Sequence, residues 1–228
     1  TATSAASPSP AEVVSAAYEG ERSLVLSDDQ VTLDGLAIAE EDAGDVTVSH
    51  DIVYYESGQG SDYGEGAEAD EHDAEEAQAH TVVTIRSAGT YRLSGSLSQG
   101  QIAIDLGDDA EDDPDAVVTL ILDGVDVTCT VAPALIFYNV YECGSSDEET
   151  ATSDVDTSAA GANVIIADGS VNNFDGSHVA RIYEPGTTDK LHKYDGAFYS
   201  KMSMNVSGEI AGDGVLNITG DNEGLDTE

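Results

Sequence analysis

The chain has 228 residues, enough for one domain whose core needs no covalent staples. Asp and Glu number 46 against 7 Lys and Arg, a formal charge of −39, which excludes nucleic acid and anionic membrane as direct partners because both repel it. The largest apolar runs, 116–122 and 133–137, are far too short to span a bilayer as helices, while 40% apolar residues rich in Val, Ile and Leu argue against global disorder.

Residues 1–11 (TATSAASPSPA) hold only Ser, Thr, Ala and Pro, and the first residue is Thr. This reads as the flexible tether of a processed, exported chain, with AEVVSAAYEG (11–20) able to form a short capping helix. Residues 1–22 are therefore assigned to tether and cap. Residues 23–80 read as an irregular opening coil, SLVLSDDQVTLDG (23–35) and DVTVSHDIVYY (45–55), ending in an acidic insertion at 56–80 with nine Asp or Glu and no Lys or Arg. Within that insertion only 70–80 has helical character.

From residue 81 onward, short runs rich in Val, Ile, Leu and Thr recur in triplets that end in Gly, Asp or Asn, which are strand and turn chemistries. The first runs are 81–85, 117–124, 163–169 and 203–208. The second are 90–95, 125–130, 171–176 and 214–220. The third are 100–105, 132–137, 196–201 and 224–228. Three short strands per turn, stacked coil on coil, describe an all-β parallel β-helix over 81–228. Leu93, Leu122, Ile166 and Val206 are its inward candidates. A two-sheet sandwich is the alternative, less favoured because the order of three runs repeats. Insertions at 106–116, 138–162 and 177–195 interrupt the coils and are where binding residues belong. The last coil stops at LDTE, so Leu216, Ile218 and Leu225 call for cover from further coils or another chain.

The segments 84–105, 119–129, 162–172 and 194–227, above all DGAFYSK and GVLNITGDNEGLDT, resemble the bacterial extracellular carbohydrate-binding β-helix family. The resemblance implies a right-handed parallel β-helix that binds calcium and polysaccharides, including acidic pectin-type glycans and cellulose. It also implies an extracellular place, secreted or attached to a bacterial surface. This chain departs from the family in its long insertions at 56–80 and 138–162. A halophile's acidic surface explains the charge as well as a calcium-rich setting does, and the resemblance puts the second first.

Calcium wants six to eight hard oxygens. Two acidic groups are candidates to supply them: Asp105, Asp108, Asp109, Asp112, Asp113 and Asp115 in one loop, and Asp195, Asp213, Asp221, Glu223 and Asp226 near the end. The plain alternative for both is a solvated loop or a turn cap. Asp195 and Glu223 are read as occupying one repeat slot, so a cation or Lys201 is expected beside them. Arg181, Lys190, His192, Lys193 and Lys201 make the only basic island, fit either to hold a uronate carboxylate or to neutralise acidic loops. Tyrosines at 54, 55, 138, 141, 183, 194 and 199 lie in or beside insertions, where their rings can pack on sugar faces or simply line the core margin. From these sets Arg181, Lys193, Lys201, Tyr138, Tyr194 and Tyr199 are taken as carbohydrate-binding.

His72, Glu76 and His80 share a spacing that zinc can use, but a solvated acidic helix is the stronger reading. Cys129 reads as a small buried hydrophobe, with a bond to Cys143 the lesser alternative. No nucleophilic triad or HExxH motif occurs. The expectation is calcium-assisted, non-catalytic polysaccharide binding. A calcium-dependent lyase using Arg181, Lys193 or Lys201 as base, and a structural stalk or adhesin, are the alternatives.

Overall fold

The computed structural model describes residues 18–40, 43–144 and 156–227. Most of the expected capping helix at 11–20 and part of the insertion at 138–162 fall outside these residues. The strands are β1 Arg22–Leu26, β2 Thr32–Leu33, β3 Leu36–Ala37, β4 Val46–Ser49, β5 Thr81–Ile85, β6 Gly89–Leu97, β7 Gly100–Asp105, β8 Val118–Cys129 and β9 Leu135–Asn139. They continue as β10 Ala162–Ile166, β11 Val171–Gly176, β12 Val179–Tyr183, β13 Lys190–Tyr194, β14 Gly196–Ser200, β15 Met204–Gly208, β16 Val215–Gly220 and β17 Glu223–Thr227. One α-helix, α1, spans Ala74–Gln78, and is shorter than the 70–80 segment read as helical. Asp73 caps it by accepting from the Glu76 N–H. None of the described helices is long and apolar enough to cross a membrane.

The chain is all-β, with two large mixed sheets. The nine-stranded sheet runs β15-β10-β8-β6-β1-β2-β3, with β11 along the second half of β8 and β16 beside β11. The six-stranded sheet runs β17-β14-β9-β7-β5-β4. Successive runs of the repeat pair in parallel, as in β8 with β10 and β7 with β9. Antiparallel pairs occupy the opening segment, β1-β2-β3 and β4-β5, and a separate hairpin, β12-β13.

Parallel register stacks like on like. Tyr91, Leu120, Val164 and Val206 form one ladder. Leu97, Val127, Phe174 and Ile218 form a second. Val83, Ile102, Leu135, Phe198 and Leu225 form a third. Their inner members are fully buried in one continuous core, and the rings of Phe174 and Phe198 meet edge to face at 5.3 Å between the two sheets. Both Leu93 and Leu122 are buried as expected, but Ile166 is half-buried and Val206 is exposed. Val206 sits on β15, which among the described residues has a neighbouring strand on one side only.

Three features differ from the repeat read in the sequence. The run 90–95, read as a second run, lies mainly beside the first run 117–124, with Thr90, Tyr91, Arg92 and Leu93 opposite Thr119, Leu120, Ile121 and Leu122. The run 81–85 belongs with the third runs, since β5 pairs with β7 and not with β8. The first and second runs at 117–130 are one strand that bends rather than two. The bend is a bulge: Leu93 and Gly95 of β6 face Leu122 and Val125 of β8, leaving Asp123 and Gly124 opposite one residue. Gly124 takes φ +80° there. The buried Asn172 fixes the bend, its Oδ1 accepting the Gly124 and Val125 N–H groups at 3.0 Å each. Its amide nitrogen donates to Ser170 Oγ and to the Val215 carbonyl, which ties three strands through one satisfied side chain.

Both cysteines are free thiols. Cys129 is in the core, where burial pushes its thiol up to about 12.

Candidate functional site

The six-stranded sheet has an inner and an outer face because side chains alternate along a strand. Val83, Ile85, Ile102 and Ile104 point into the core, so Val82, Thr84, Gln101 and Ala103 carry the outer face, continued on β9 by Tyr138. Together they floor a cleft of about 390 Å³. One wall is β13, from Lys190 to Tyr194, and the rim is made by Asp51, Arg86, Asp105, Asp108 and Lys201.

The wall exists because the 177–195 insertion folds into the β12-β13 hairpin. Its turn places Pro185 and Gly186 at the two central positions, with Gly186 at φ +78° and the Thr187 N–H bonded to the Glu184 carbonyl. That is the residue order a type II turn requires. The acidic insertion braces the hairpin from outside. Glu65 N–H donates to the Arg181 carbonyl, Tyr183 N–H donates to the Tyr63 carbonyl, and the Tyr183 hydroxyl reaches Glu65 at 2.6 Å.

An aromatic cluster roots the wall in the sheet. Tyr194 meets Tyr138 edge to face at 5.6 Å and lies over Tyr199 at 5.2 Å. His192 Nδ1 is 2.8 Å from the Tyr194 hydroxyl. Burial raises the Tyr138 phenol well above its ordinary pKa. Burial first, and the Lys201 charge second, lower that of His192.

The cleft gathers cations. All three lysines of the chain, Lys190, Lys193 and Lys201, line it together with Arg86. Each of three has a carboxylate nearby: Arg86 lies 3.5 Å from Asp105, Lys201 lies 3.9 Å from Glu111, and Lys193 pairs with Asp195. These are part-exposed pairs of modest strength, which an incoming anion can exchange.

Of the residues expected to bind carbohydrate, Tyr138, Lys193, Tyr194 and Lys201 come together here. Tyr199 is on the same face but buried, and supports Tyr194 from below. Arg181 lies on β12, outside the cleft, with Nε 3.5 Å from Glu65. Lys190 and His192 belong to the basic island and take up wall positions. Arg86, Asn139 and Gln101 carry no local signal in the sequence and are brought in by strand register alone.

The expected calcium ligands are dispersed. Asp105 accepts from Asn139 Nδ2 at 2.8 Å and from the Gly107 N–H, and Asp113 accepts from the Asp115 N–H. Asp108, Asp109, Asp112 and Asp115 are exposed around a short 3₁₀ turn. Asp213 accepts from the Gly169 N–H, while Asp221 accepts from Ser177 Oγ and faces His178 Nδ1 at 3.0 Å. Asp195 and Glu223 are one residue out of register, because Gly196 is the partner of Glu223, and Lys193 rather than Lys201 is the cation beside Asp195. Asp226 lies opposite Tyr199. Among the described residues no three His, Cys, Asp or Glu side chains converge as a metal centre, so these residues as placed do not fit a calcium cage. The zinc reading of His72, Glu76 and His80 meets the same result. His80 is fully buried and spends its ring on the Glu76 carbonyl and the Thr130 N–H, fixing α1 against the end of β8.

A cleft lined by tyrosines and a few convergent polar groups has the form of a ligand-binding site. The chain belongs to the carbohydrate-binding domain-containing protein family, whose model matches residues 79–228. That span contains every cleft residue except Asp51 and Val53. No curated protein and no solved structure matches the chain.

Proposed function

We propose that this chain is a non-catalytic module that holds an acidic polysaccharide in the cleft beneath β13, outside the cell at a bacterial surface. One observation carries the reading: a chain with charge −39 places all three of its lysines and one of its four arginines around a single aromatic-walled cleft. A polyuronate is repelled by the molecule as a whole and attracted at that point, which gives location and specificity together. Tyr138 offers its ring to a sugar face, and Gln101, Asn139 and Thr84 supply the hydrogen-bonding groups that hydroxyls need.

The stacked parallel ladders support reading the repeat as coils of a right-handed parallel β-helix. Among the described residues β15, β16 and β17 each pair on one side only, which supports cover there by further coils or another chain. Calcium enters the proposal as a counter-ion shared between glycan carboxylates and the acidic surface, with no ligand set assigned to it.

Affinity electrophoresis in gels cast with polygalacturonate, with soluble cellulose derivatives, or with no glycan tests the reading. Retention by polygalacturonate that is lost in a Lys190→Ala, Lys193→Ala, Lys201→Ala variant is the expected result. No retention by either glycan would leave a structural spacer as the function. Release of unsaturated uronate, followed by its absorbance, would overturn the non-catalytic assignment.

A further inference from the structure

We propose that His192 becomes a fifth cation of the cleft when an anionic sugar enters, so that binding takes up a proton and strengthens as the medium turns mildly acidic. The inference rests on the cleft being the polysaccharide site. His192 stands on β13 between Lys190 and Lys193, with its Nδ1 held by the Tyr194 hydroxyl at 2.8 Å. Nε2 has no hydrogen-bond partner among the described residues, which leaves it available to a ligand.

The Tyr194 contact suits both protonation states. A phenol both donates and accepts. With a neutral ring the Tyr194 O–H donates to Nδ1 and the proton sits on Nε2. With a charged ring Nδ1–H donates to the phenol oxygen. Tyr194 also shares a hydrogen bond with the Tyr138 hydroxyl, which can accept the phenol proton when the bond to Nδ1 reverses, so the change of state turns hydroxyls and shifts no strand.

The surrounding charges decide which state wins. Lys190 and Lys193 share the ring's strand, Lys201 comes from the end of β14, and Arg86 follows β5. Asp51, Asp105 and Asp108 stand on the rim, and Tyr138 is the phenol on β9. Burial and Lys201 hold the ring's pKa below its ordinary value in the free protein. A ligand carboxylate offsets Lys201 and attracts the imidazolium directly, which opposes the effect of burial. Linkage then gives the sign. The bound state holds more protons than the free state in the window around ordinary histidine titration, so affinity rises as pH falls through it. One linked proton limits the slope to about tenfold per pH unit.

The test is calorimetric titration with trigalacturonate in calcium-free buffers of differing ionisation enthalpy, between pH 5.5 and 7.5, for wild type and His192→Gln, with folding checked by circular dichroism. The expected result is uptake of a fraction of a proton up to one by wild type, affinity roughly fivefold to tenfold higher at the acid end, and a flattened pH profile with less proton uptake in the variant. Equal slopes in the two proteins, or binding by wild type without proton uptake, would overturn the role of His192 while leaving the cleft as the site. No binding of trigalacturonate at any pH would overturn the site and this inference together.

Discussion

The rings of Tyr138 and Tyr194 meet edge to face at 5.6 Å, joining a strand of the core sheet to the wall of the cleft. Tyr138 is half-buried and Tyr194 buried, so the pair presents one ring to the cleft and uses the other to hold it. Tyr138→Phe keeps the ring and removes the hydroxyl. It is expected to change stability by about 1 kcal/mol and to keep most glycan retention. Tyr138→Ala removes the platform and is expected to weaken retention about tenfold or more. Melting curves and affinity electrophoresis of the two variants separate these contributions. Equal retention by both would remove Tyr138 from the binding surface.

Much of the strand layout was legible because alternation and turn residues are local. The runs at 81–85, 100–105 and 171–176 coincide with β5, β7 and β11. Which run stacks on which is not local, and so the local pattern puts 81–85 and 90–95 in the wrong columns. The bend within β8 depends on Asn172, a residue of β11. The cleft follows the same division. Lys190, His192, Lys193 and Lys201 lie close in sequence and read as one basic island, with Tyr194 in the separate set of tyrosines beside it. Arg86 arrives from over a hundred residues earlier through the β5-β7-β9-β14 register. Proximity in sequence groups Arg181 with the island, but it sits on the other strand of the hairpin and faces Glu65.

A second cation is structural. Arg92 binds Glu209 at 3.1 Å, Glu21 at 2.7 Å and Asp123 at 3.2 Å, and joins the opening strand, β8 and the segment after β15. Glu209 is only 1% exposed, and its second oxygen accepts the Asp168 N–H. Replacing Arg92 leaves a buried carboxylate without its partner. Arg92→Met is expected to cost about 3–5 kcal/mol, and a double variant Arg92→Met, Glu209→Gln to recover part of that loss. Denaturant unfolding of the four proteins in the cycle checks it. A single variant within 1 kcal/mol of wild type, as ordinary surface substitutions are, would show that the cluster is solvated (about that range separates the two cases).

Arg22 sets an acid limit on the opening segment. The Ser23 N–H and then Arg22 lower the pKa of Asp34, and the Ser87 hydroxyl and then Arg22 lower that of Asp45. A carboxyl whose folded pKa lies below its unfolded value contributes stability that is present above the unfolded value, about 3.9, and is lost as pH falls through the folded one. The difference in melting temperature between wild type and Arg22→Met is therefore expected to be constant from pH 7 to 5 and to shrink toward pH 2. Using the difference cancels the relief of general repulsion as the many other carboxylates protonate. A gap that stays constant to pH 2 would remove Asp34 and Asp45 as the source.

Calcium and charge separate cleanly in a chain that holds 46 carboxylates without a converged cage among its described residues. A cage selects calcium over magnesium, because magnesium demands near-ideal octahedral geometry at shorter distances and gives up its water reluctantly. A diffuse cloud of counter-ions does not select. Melting of the free protein is therefore expected to rise equally in calcium and magnesium at equal concentration, and to fall back with chelator. Adding polygalacturonate changes the outcome, since glycan carboxylates complete an oxygen shell that neither partner supplies alone. Calcium is then expected to increase retention more than magnesium does. A rise of several degrees specific to calcium in the absence of glycan would correspond to roughly 1–3 kcal/mol of mass-action stabilisation. That result would place a real calcium centre in the chain and overturn the shared counter-ion reading. Equal retention in calcium and magnesium with the glycan present would leave screening alone, as the acidic surface of a halophile protein requires.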